Sequence, residues 1–221
     1  MLRIPEPNEI MDEHAQVLAY EAANFTESNL IFINLLKKIC SNFISGSAID
    51  IGCGPADIPI MLLEQNINLK IDALDGSKKM LEIAEKKIFN KQIKDQINFV
   101  HKKIPDIELD FSKYNIYISN SLLHHLSNPQ HLWKLIRENA KKDSKILIMD
   151  LNRPSSTKKV KKLVSLYAKQ EAEILKRDFY NSLCASYTIN EVKKQLLEAN
   201  LNELQVDMVS ERHWAVFGSI I

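Results

Sequence analysis

The chain lacks cysteine pairs, an excess of charge of one sign and long apolar runs, and each absence excludes a class of protein. Its three cysteines are far apart and form no CxxC pair, which predicts a reduced, cytoplasmic compartment rather than a disulfide framework. The formal net charge of +1 provides no broad field for a polyanion. Apolar stretches such as residues 29–36 are far shorter than the roughly 20 residues of a membrane span. No membrane partner and no secretory leader are therefore expected.

Two catalytic signatures are also missing. The chain contains no Walker loop and no serine, histidine and acid in a catalytic order, so phosphoryl transfer and covalent catalysis have no candidate residues. Its 221 residues, 45% hydrophobic and 26% charged, are enough for one domain with a core of its own. No internal repeat or low-complexity linker divides the chain, so we expect a single domain over residues 1–221.

Strand and helix patterns alternate through the middle of the chain. Apolar residues recur at helical spacing over 8–23 and 27–44, which predicts two N-terminal helices. After them, the patterns predict five strands, at 47–51, 69–74, 97–101, 114–119 and 145–151. The helices predicted between these strands are 56–65, 77–90 and 129–140. Strands separated by such helices pair in parallel through right-handed crossovers.

The last third of the chain departs from this rhythm. Residues 155–176 carry an apolar stripe between lysines, which predicts an amphipathic helix with a solvated lysine face. A helix at 189–199 precedes two closing strands, 204–209 and 214–220, whose connection is too short for a helix and predicts an antiparallel hairpin. The predicted fold class is α/β: a Rossmann-like, doubly wound, mostly parallel seven-stranded sheet with a C-terminal antiparallel hairpin, N-terminal helices and a helical lid.

The junction after the first predicted strand is the most informative segment, because Gly52 and Gly54 stand between a strand and a helix. The glycines allow a tight turn and a close backbone approach to a ligand, and the amides of the next helix point into the same space. Asp75 ends the second strand beside this turn, where a carboxylate can accept hydrogen bonds from both hydroxyls of a ribose. Near the place of a third glycine stands Asp57, which disfavours a dinucleotide such as NAD.

Three segments together resemble the successive signature motifs of class I S-adenosylmethionine-dependent methyltransferases. They read Asp-Ile-Gly-Cys-Gly-Pro at 50–55, Ala-Leu-Asp-Gly-Ser at 73–77 followed by Met-Leu at 80–81, and Ile-Ser-Asn-Ser-Leu-Leu-His-His-Leu at 118–126. The resemblance covers about residues 45–151, and the predicted closing hairpin agrees with it. It implies S-adenosyl-L-methionine as cofactor and S-adenosyl-L-homocysteine as product.

The resemblance also implies a role for each matching residue. Asp50 would orient the glycine turn or the ammonium group of the methionine moiety, and Asp75 would hold the ribose. The other implied cofactor-binding residues are Gly52, Cys53 and Gly54 in the turn, Gly76, Ser77 and Met80 beside the ribose and adenine, and Asn120, Ser121 and Leu122 in the methyl-transfer cleft. Structural alternatives remain open: Asp50 and Ser77 could only cap backbone amides, and Met80 and Leu122 could only be core residues.

Two positions depart from the pattern of the family. The acid that often follows the third strand and reads the adenine amino group is replaced by His101, Lys102 and Lys103. The resemblance then leaves adenine to backbone groups or to His101. Asn115 replaces the acid that commonly begins the fourth strand, and we assign it no catalytic role.

The adjacent histidines His124 and His125 suggest either a base or a metal site. Neighbouring side chains at a strand end or in a loop are expected to diverge, so we predict no metal ion at this pair. The usual role of such histidines is structural, and His125 is the candidate catalytic base. His131 is expected on the following helix.

The identity of the methyl acceptor is the least determined feature. Nucleic-acid methyltransferases acting on base amines commonly carry an Asn/Asp-Pro-Pro-aromatic run after the fourth strand, and this chain has Asn-Ser-Leu-Leu at 120–123. With the near-neutral charge, this favours a small-molecule O or N acceptor, methylated by direct in-line displacement. The alternatives are a nucleic-acid or protein methyltransferase, or a cofactor-binding protein without transfer activity.

We divide the predicted domain into four parts: N-terminal helices at 1–44, a cofactor-binding core at 45–151, a helical lid with the last crossover helix at 152–200, and a closing hairpin at 201–221. The N-terminal helices and residues 152–188 are expected to cover the cleft. Their candidate substrate-binding residues are Tyr20, Arg153, Tyr180 and Tyr187, with Tyr167, Asp178 and Asn181 as further polar groups.

Overall fold

Seven strands form one mixed sheet in the computed structural model, which describes residues 1–7, 10–41, 44–65, 68–106 and 114–221. The strands are β1 Gly46–Ile51, β2 Leu69–Asp75, β3 Ile97–His101, β4 Ile116–Asn120, β5 Lys145–Leu151, β6 Gln205–Met208 and β7 His213–Ser219. Their spatial order is β3-β2-β1-β4-β5-β7-β6, and β7 runs antiparallel to both of its neighbours. The predicted doubly wound sheet and its closing hairpin are confirmed.

Helices cover both faces of the sheet, because the central strands are apolar on both sides. The helices are α1 His14–Ala22, α2 Thr26–Ile39, α3 Asp57–Leu63, α4 Lys78–Ile88, α5 Gln130–Asn139, α6 Thr157–Tyr167, α7 Glu173–Ala185 and α8 Ile189–Glu198. The first core joins α2, α3 and α4 to one face, and the second joins α5 and α8 to the other. Trp133 on α5 donates a hydrogen bond to Gln195 on α8, 2.9 Å away, and ties the second layer together.

Three predicted helices have different bounds in the structure. The first begins at His14 rather than at residue 8, and residues 8–9 of that prediction lie outside the described residues. The second ends at Ile39, and residues 42–43 are likewise not described. The helix predicted over 155–176 is wrong, because it stops at Tyr167 and α7 starts only at Glu173. The break lets α6 fold back so that its apolar stripe packs against α7.

A cap lies over the edge of the sheet where β1, β2, β4 and β5 end. It consists of residues 1–7, α1, α6 and α7. Its first segment is attached by a hydrogen bond from the Ile4 amide to the Cys184 carbonyl at 3.0 Å, and α1 packs on α4 through Val17 and Met80. Among the described helices, none is long and apolar enough to cross a membrane.

Candidate functional site

A cavity of about 310 Å³ separates the sheet edge from the cap. Its floor is formed by the turns that follow β1, β2 and β4, and its roof by α1, α7 and the segment after α6. This is the carboxyl end of the parallel strands, where open α/β sheets bind their ligands, and the volume is typical of a ligand site. The cavity therefore places the predicted cofactor motifs and the predicted lid on opposite sides of one space.

The two glycines of the turn after β1 have different surroundings. Both have left-handed backbone angles, with φ of 75° at Gly52 and 54° at Gly54. A Cβ on Gly52 would lie 2.8 Å from a methyl carbon of Leu122, whereas a Cβ on Gly54 would meet no protein atom within 4 Å. Gly52 is thus required by close packing of the protein, and Gly54 borders open cavity that a ligand can fill.

Asp75 holds the turn through backbone amides. One carboxylate oxygen accepts a hydrogen bond from the Gly54 amide at 2.8 Å, and the other accepts one from the Ser77 amide at 2.7 Å. Burial raises the pKa of Asp75 despite these hydrogen bonds. Ser77 accepts a hydrogen bond from the Met80 amide and so caps α4, as the structural alternative predicted. Ser77 also lines the cavity.

Asp50 is a buried carboxyl group that faces the cavity and makes no hydrogen bond with the described residues. Burial and the nearby charge of Asp75 raise the pKa of Asp50 to about 8. The same burial, together with both carboxylates, raises the pKa of the Cys53 thiol. A cationic ligand would favour the ionised form of Asp50, because it would supply the countercharge that the protein does not provide here.

The segment after β4 supplies the third side of the floor. Ser121 has a left-handed φ of 59° and its amide donates to the Met149 carbonyl, so the chain turns sharply at the end of the strand. The side-chain oxygen of Asn120 is buried without a hydrogen-bond partner among the described residues. Because a buried acceptor without a donor is costly, this oxygen is a candidate to accept a hydrogen bond from a ligand in the cavity.

A cluster of charged side chains stands at the far end of this segment, around His124 and His125. The Nδ1 atom of His124 lies 2.6 Å from one oxygen of the buried Asp150, and the His124 amide donates to the other oxygen at 3.0 Å. Glu6 from the cap approaches both imidazoles, with an oxygen 2.8 Å from Nδ1 of His125 and the other 3.9 Å from Nε2 of His124. Ser182 on α7 donates a hydrogen bond to Glu6 at 2.6 Å.

The electrostatics of this cluster favour the charged carboxylates. Burial opposes ionisation of Glu6, but its contact with His125 and the charges of both imidazoles lower the pKa of Glu6 to about 2. Burial likewise opposes the charge of His124, yet Asp150 and Glu6 raise its pKa. The imidazoles of His124 and His125 lie with their centroids 4.2 Å apart. The expectation that these adjacent side chains diverge is therefore wrong, because they lie on a 3-10 turn, Leu123–His125, rather than on a strand.

The structure brings most of the predicted cofactor residues together. The lining of the cavity includes every residue predicted from the three motifs: Asp50, Gly52, Cys53, Gly54, Asp75, Gly76, Ser77, Met80, Asn120, Ser121 and Leu122. His101 is not part of the lining. It is exposed, its Nε2 atom lies 3.1 Å from the Gly76 carbonyl oxygen, and Lys102 and Lys103 line the cavity instead.

The predicted substrate residues divide into two groups. Tyr20 lines the cavity, where burial and the surrounding carboxylates raise its pKa, so its hydroxyl stays protonated. Arg153, Tyr180 and Tyr187 lie outside the lining. Arg153 is buried and donates to Ser186 and Glu191, while Tyr187 packs in the core of the sheet. Their placement gives both residues a structural role.

Other predicted positions also lie away from the cavity. Asn115 is at the opposite end of β4, where its side-chain oxygen accepts a hydrogen bond from the Ser47 amide. His131 is on α5, as expected, and its Nε2 atom lies 3.3 Å from the side-chain nitrogen Nδ2 of Asn128.

Several residues of the site were missed by the sequence reasoning. Leu175, Phe179 and Ser182 of α7 line the cavity, and Glu6 from the first segment contacts His125, which lines it. The three residues of α7 are spaced by four and three positions, which is the signal of one helix face, but the incorrect long helix over 155–176 obscured it. Glu6 lies between two prolines and carried no pattern that points to a partner more than a hundred residues away.

Comparison with known proteins places this geometry in a family. The model of the methyltransferase domain family matches residues 45–204. A search of curated proteins returned no match.

Among solved structures, a putative S-adenosylmethionine-dependent methyltransferase from Methanococcus maripaludis is similar with a TM-score of 0.72 and 19% identity, over 98% of this chain and 97% of that one. An S-adenosylmethionine-dependent methyltransferase from Aquifex aeolicus has a TM-score of 0.65 and 16% identity, over 92% and 97%. The plantazolicin methyltransferase BpumL, in complex with a triazolic analog and S-adenosylhomocysteine, has a TM-score of 0.71 and 14% identity, over 93% and 92%. At these identities the structures show a shared fold. The family match covers well over half of the sequence, and the chain therefore belongs to the class I S-adenosylmethionine-dependent methyltransferases.

Proposed function

We propose that this methyltransferase acts on a small molecule that carries an oxygen or nitrogen acceptor, held in the cavity between the sheet edge and the cap. One observation carries the proposal: the cavity continues beyond the cofactor motifs and is roofed by apolar side chains of α7, among them Leu175 and Phe179. A roofed cavity of about 310 Å³ suits a small acceptor better than a polymer, which needs an open groove.

The residues on the sheet side fit S-adenosylmethionine. The cofactor carries a cationic ammonium group and a sulfonium centre, and Asp50 is a buried carboxyl group that lacks a cation. The orphaned oxygen of Asn120 can accept from an ammonium group, and the open space beside Gly54 admits a ligand against the backbone. Asp75 keeps lone pairs on both oxygens for ribose hydroxyls while it holds the Gly54 and Ser77 amides.

The protein contributes alignment and exclusion of water in this proposal. When bound, S-adenosylmethionine supplies an activated methyl group, whose transfer requires an acceptor lone pair in line with the bond that breaks. The cap residues Phe179 and Tyr20 would hold the acceptor and keep water out of the cleft. Tyr20 remains a hydrogen-bond donor because its pKa is raised. His125, the predicted base, also lines the cavity and is needed as a base only where the acceptor is protonated.

Mass spectrometry of products tests the proposal. Purified protein is incubated with methyl-labelled S-adenosylmethionine and a metabolite extract, and in parallel with total RNA and with a protein extract. We expect label in a low-molecular-mass product and none in the two polymer fractions. Label in RNA or protein would contradict a small-molecule acceptor, and tight binding of S-adenosylhomocysteine without label in any fraction would indicate a binding protein without transfer activity.

A further inference from the structure

The cluster of Glu6, His124 and His125 is not explained by cofactor binding. Two imidazoles and one carboxylate offer ligand atoms that all lie within 4.8 Å of one another. This donor set is typical of first-row transition metals, and three protein ligands with one open position is the usual arrangement of a catalytic zinc ion. We propose that Glu6, His124 and His125 bind one divalent transition-metal ion, with zinc the best match, in the wall of the cavity.

The hydrogen bonds of His124 leave the correct nitrogen free for a metal. Asp150 accepts hydrogen bonds from the backbone amides of His124 and Leu151, and Nδ1 of His124 lies 2.6 Å from the same carboxylate. A carboxylate that accepts from these amides also accepts from Nδ1, so in the neutral imidazole Nδ1 carries the proton and Nε2 keeps the lone pair that a metal ion needs. Metal-binding histidines are commonly oriented in this way by a carboxylate behind them.

His125 supplies the second, independent observation. Its Nδ1 atom is buried and makes no hydrogen bond with the described residues, although an oxygen of Glu6 is only 2.8 Å away. The two atoms are close enough for an ion pair, but the contact does not meet the geometry of a hydrogen bond. Two ligand atoms that bind the same cation lie close together without a hydrogen bond between them. A bound cation would therefore explain the contact between Nδ1 of His125 and Glu6.

The two carboxylates of the cluster are paired with imidazoles and with no lysine or arginine of the described residues. Glu6 contacts His124 and His125, and Asp150 contacts His124. Arg3 donates its hydrogen bonds to the backbone carbonyls of Ala185, His124 and Leu126 rather than to Glu6. A divalent ion bound by the two imidazoles in their neutral form would supply the positive charge that balances both carboxylates.

The ion would face the acceptor side of the cavity. His124 and His125 both belong to the lining, as do residues of α7, so an ion bound by these histidines would border the same cavity. There the ion would bind an oxygen or nitrogen of the acceptor and lower its pKa. This step rests on the proposed function, whereas the metal site does not. In this role His125 is a ligand rather than the predicted base.

Metal binding by protein prepared without a polyhistidine tag tests the inference. The protein is stripped with a chelator, dialysed, and titrated with Zn²⁺ by calorimetry, with elemental analysis of the product. We expect one zinc ion per chain, and at least about tenfold weaker binding in His125→Ala and in Glu6→Gln. His131→Ala removes a partly exposed imidazole outside the cluster and serves as the matched control, with unchanged affinity. Co²⁺ in place of zinc should give visible absorption that disappears in His125→Ala.

Two outcomes would overturn the metal site: no stoichiometric zinc in the wild-type protein, or equal affinity in wild type and His125→Ala. Titration with S-adenosylhomocysteine is run on every variant, because retained binding shows that the variant is folded. Glu6→Gln preserves the size of the side chain, so it tests the site even if His125→Ala fails to fold. Absence of zinc together with normal S-adenosylhomocysteine binding would contradict this inference alone. Failure of the wild type to bind S-adenosylhomocysteine would contradict the proposed function.

Discussion

The two sides of the cavity are built by different means. On the sheet side the surface is shaped by left-handed backbone turns at Gly52 and Gly54 and by amides that Asp75 holds in place. On the cap side it consists of side chains, such as Tyr20 and Phe179, on packed helices. A side chain of the cap can be substituted without disturbing the sheet, whereas a substitution in a turn alters the backbone that shapes the cavity. We therefore expect the sheet side to fix a constant cofactor and the cap side to select the acceptor.

The largest expected effect would come from filling the space beside Gly54. Gly54→Val should weaken S-adenosylhomocysteine binding by more than about a hundredfold, because the added carbons enter the open cavity rather than the protein core. The left-handed φ adds roughly 1–2 kcal/mol of strain, which thermal melting of Gly54→Ala would measure.

Gly218→Ala provides the control for this prediction. Gly218 lies on β7 outside the cavity lining and also has a positive φ, of 151°, so this variant should lose stability while calorimetry shows almost unchanged affinity. Normal binding of S-adenosylhomocysteine by Gly54→Val would place the cofactor away from this turn.

Asp75→Ala should weaken cofactor binding by roughly 1.5–3 kcal/mol, the cost of losing hydrogen bonds to a charged group. The variant also releases the Gly54 and Ser77 amides, so part of the loss is expected to come from the turn itself. Asp75→Asn keeps one carbonyl acceptor and should lose less. Calorimetric titration of both variants measures the difference, and equal affinity in Asp75→Ala and wild type would mean that the ribose binds elsewhere.

Two adjacent residues on α7 differ in their position relative to the cavity. Phe179 lines the cavity and Tyr180 does not. Once an acceptor is identified, Phe179→Ala should lower its kcat/KM by about tenfold to a hundredfold, as for a lost apolar pocket contact, with unchanged affinity for S-adenosylhomocysteine. Tyr180→Ala should leave kcat/KM nearly unchanged. Equal losses in the two variants would show that the helix as a whole, rather than its cavity face, is responsible.

Cofactor affinity should rise with pH because of Asp50. Its pKa in the free protein is about 8, above the ordinary 3.8, so the folded apoprotein holds this proton more strongly than the unfolded chain does. The stabilisation from that proton is complete below pH 3.8 and is lost as pH rises toward 8. A cationic cofactor favours the ionised form, so binding should release a proton below pH 8 and gain at most about tenfold in affinity per pH unit from this group.

Calorimetry in buffers of different ionisation enthalpy counts the released protons. Asp75 has a raised pKa as well and contributes in the same direction. Asp50→Asn should reduce the proton release measured in wild type. Identical proton release in the two proteins would assign the effect to other groups.

The smallest effect is expected at Tyr187, a core residue of the sheet face. Its hydroxyl makes one long hydrogen bond of 3.4 Å to the Leu126 carbonyl, so Tyr187→Phe should cost at most about 1 kcal/mol of stability and leave transfer unchanged. Tyr187→Ala should lower the melting temperature, since it removes a buried ring. Loss of methyl transfer in a stable Tyr187→Phe variant would show that the Tyr187 hydroxyl contributes to the acceptor site after all.

The sequence predicts the sheet side of the cavity far better than the cap side, and the reason is the range of the interactions. Gly52, Gly54 and Asp75 act within two consecutive strand and helix units, so their spacing carries the geometry. Arg153 is buried because it meets Met1, Ser186 and Glu191, which no local pattern of the sequence relates to it. Side chains that depend on distant partners become interpretable only when the fold brings the partners together.

Arg3 has a consequence for the rate at which ligands are exchanged. It joins the end of α7 to the turn after β4 by hydrogen bonds to backbone carbonyls, and its guanidinium lies 4.2 Å above the ring of Tyr187. Movement of α7 away from the turn after β4 would require these bonds to break together. We expect their combined lifetime to limit how often this part of the cap opens, and turnover where ligands exchange through that opening. The Ile4 amide, bonded to the Cys184 carbonyl, would report each opening through hydrogen exchange.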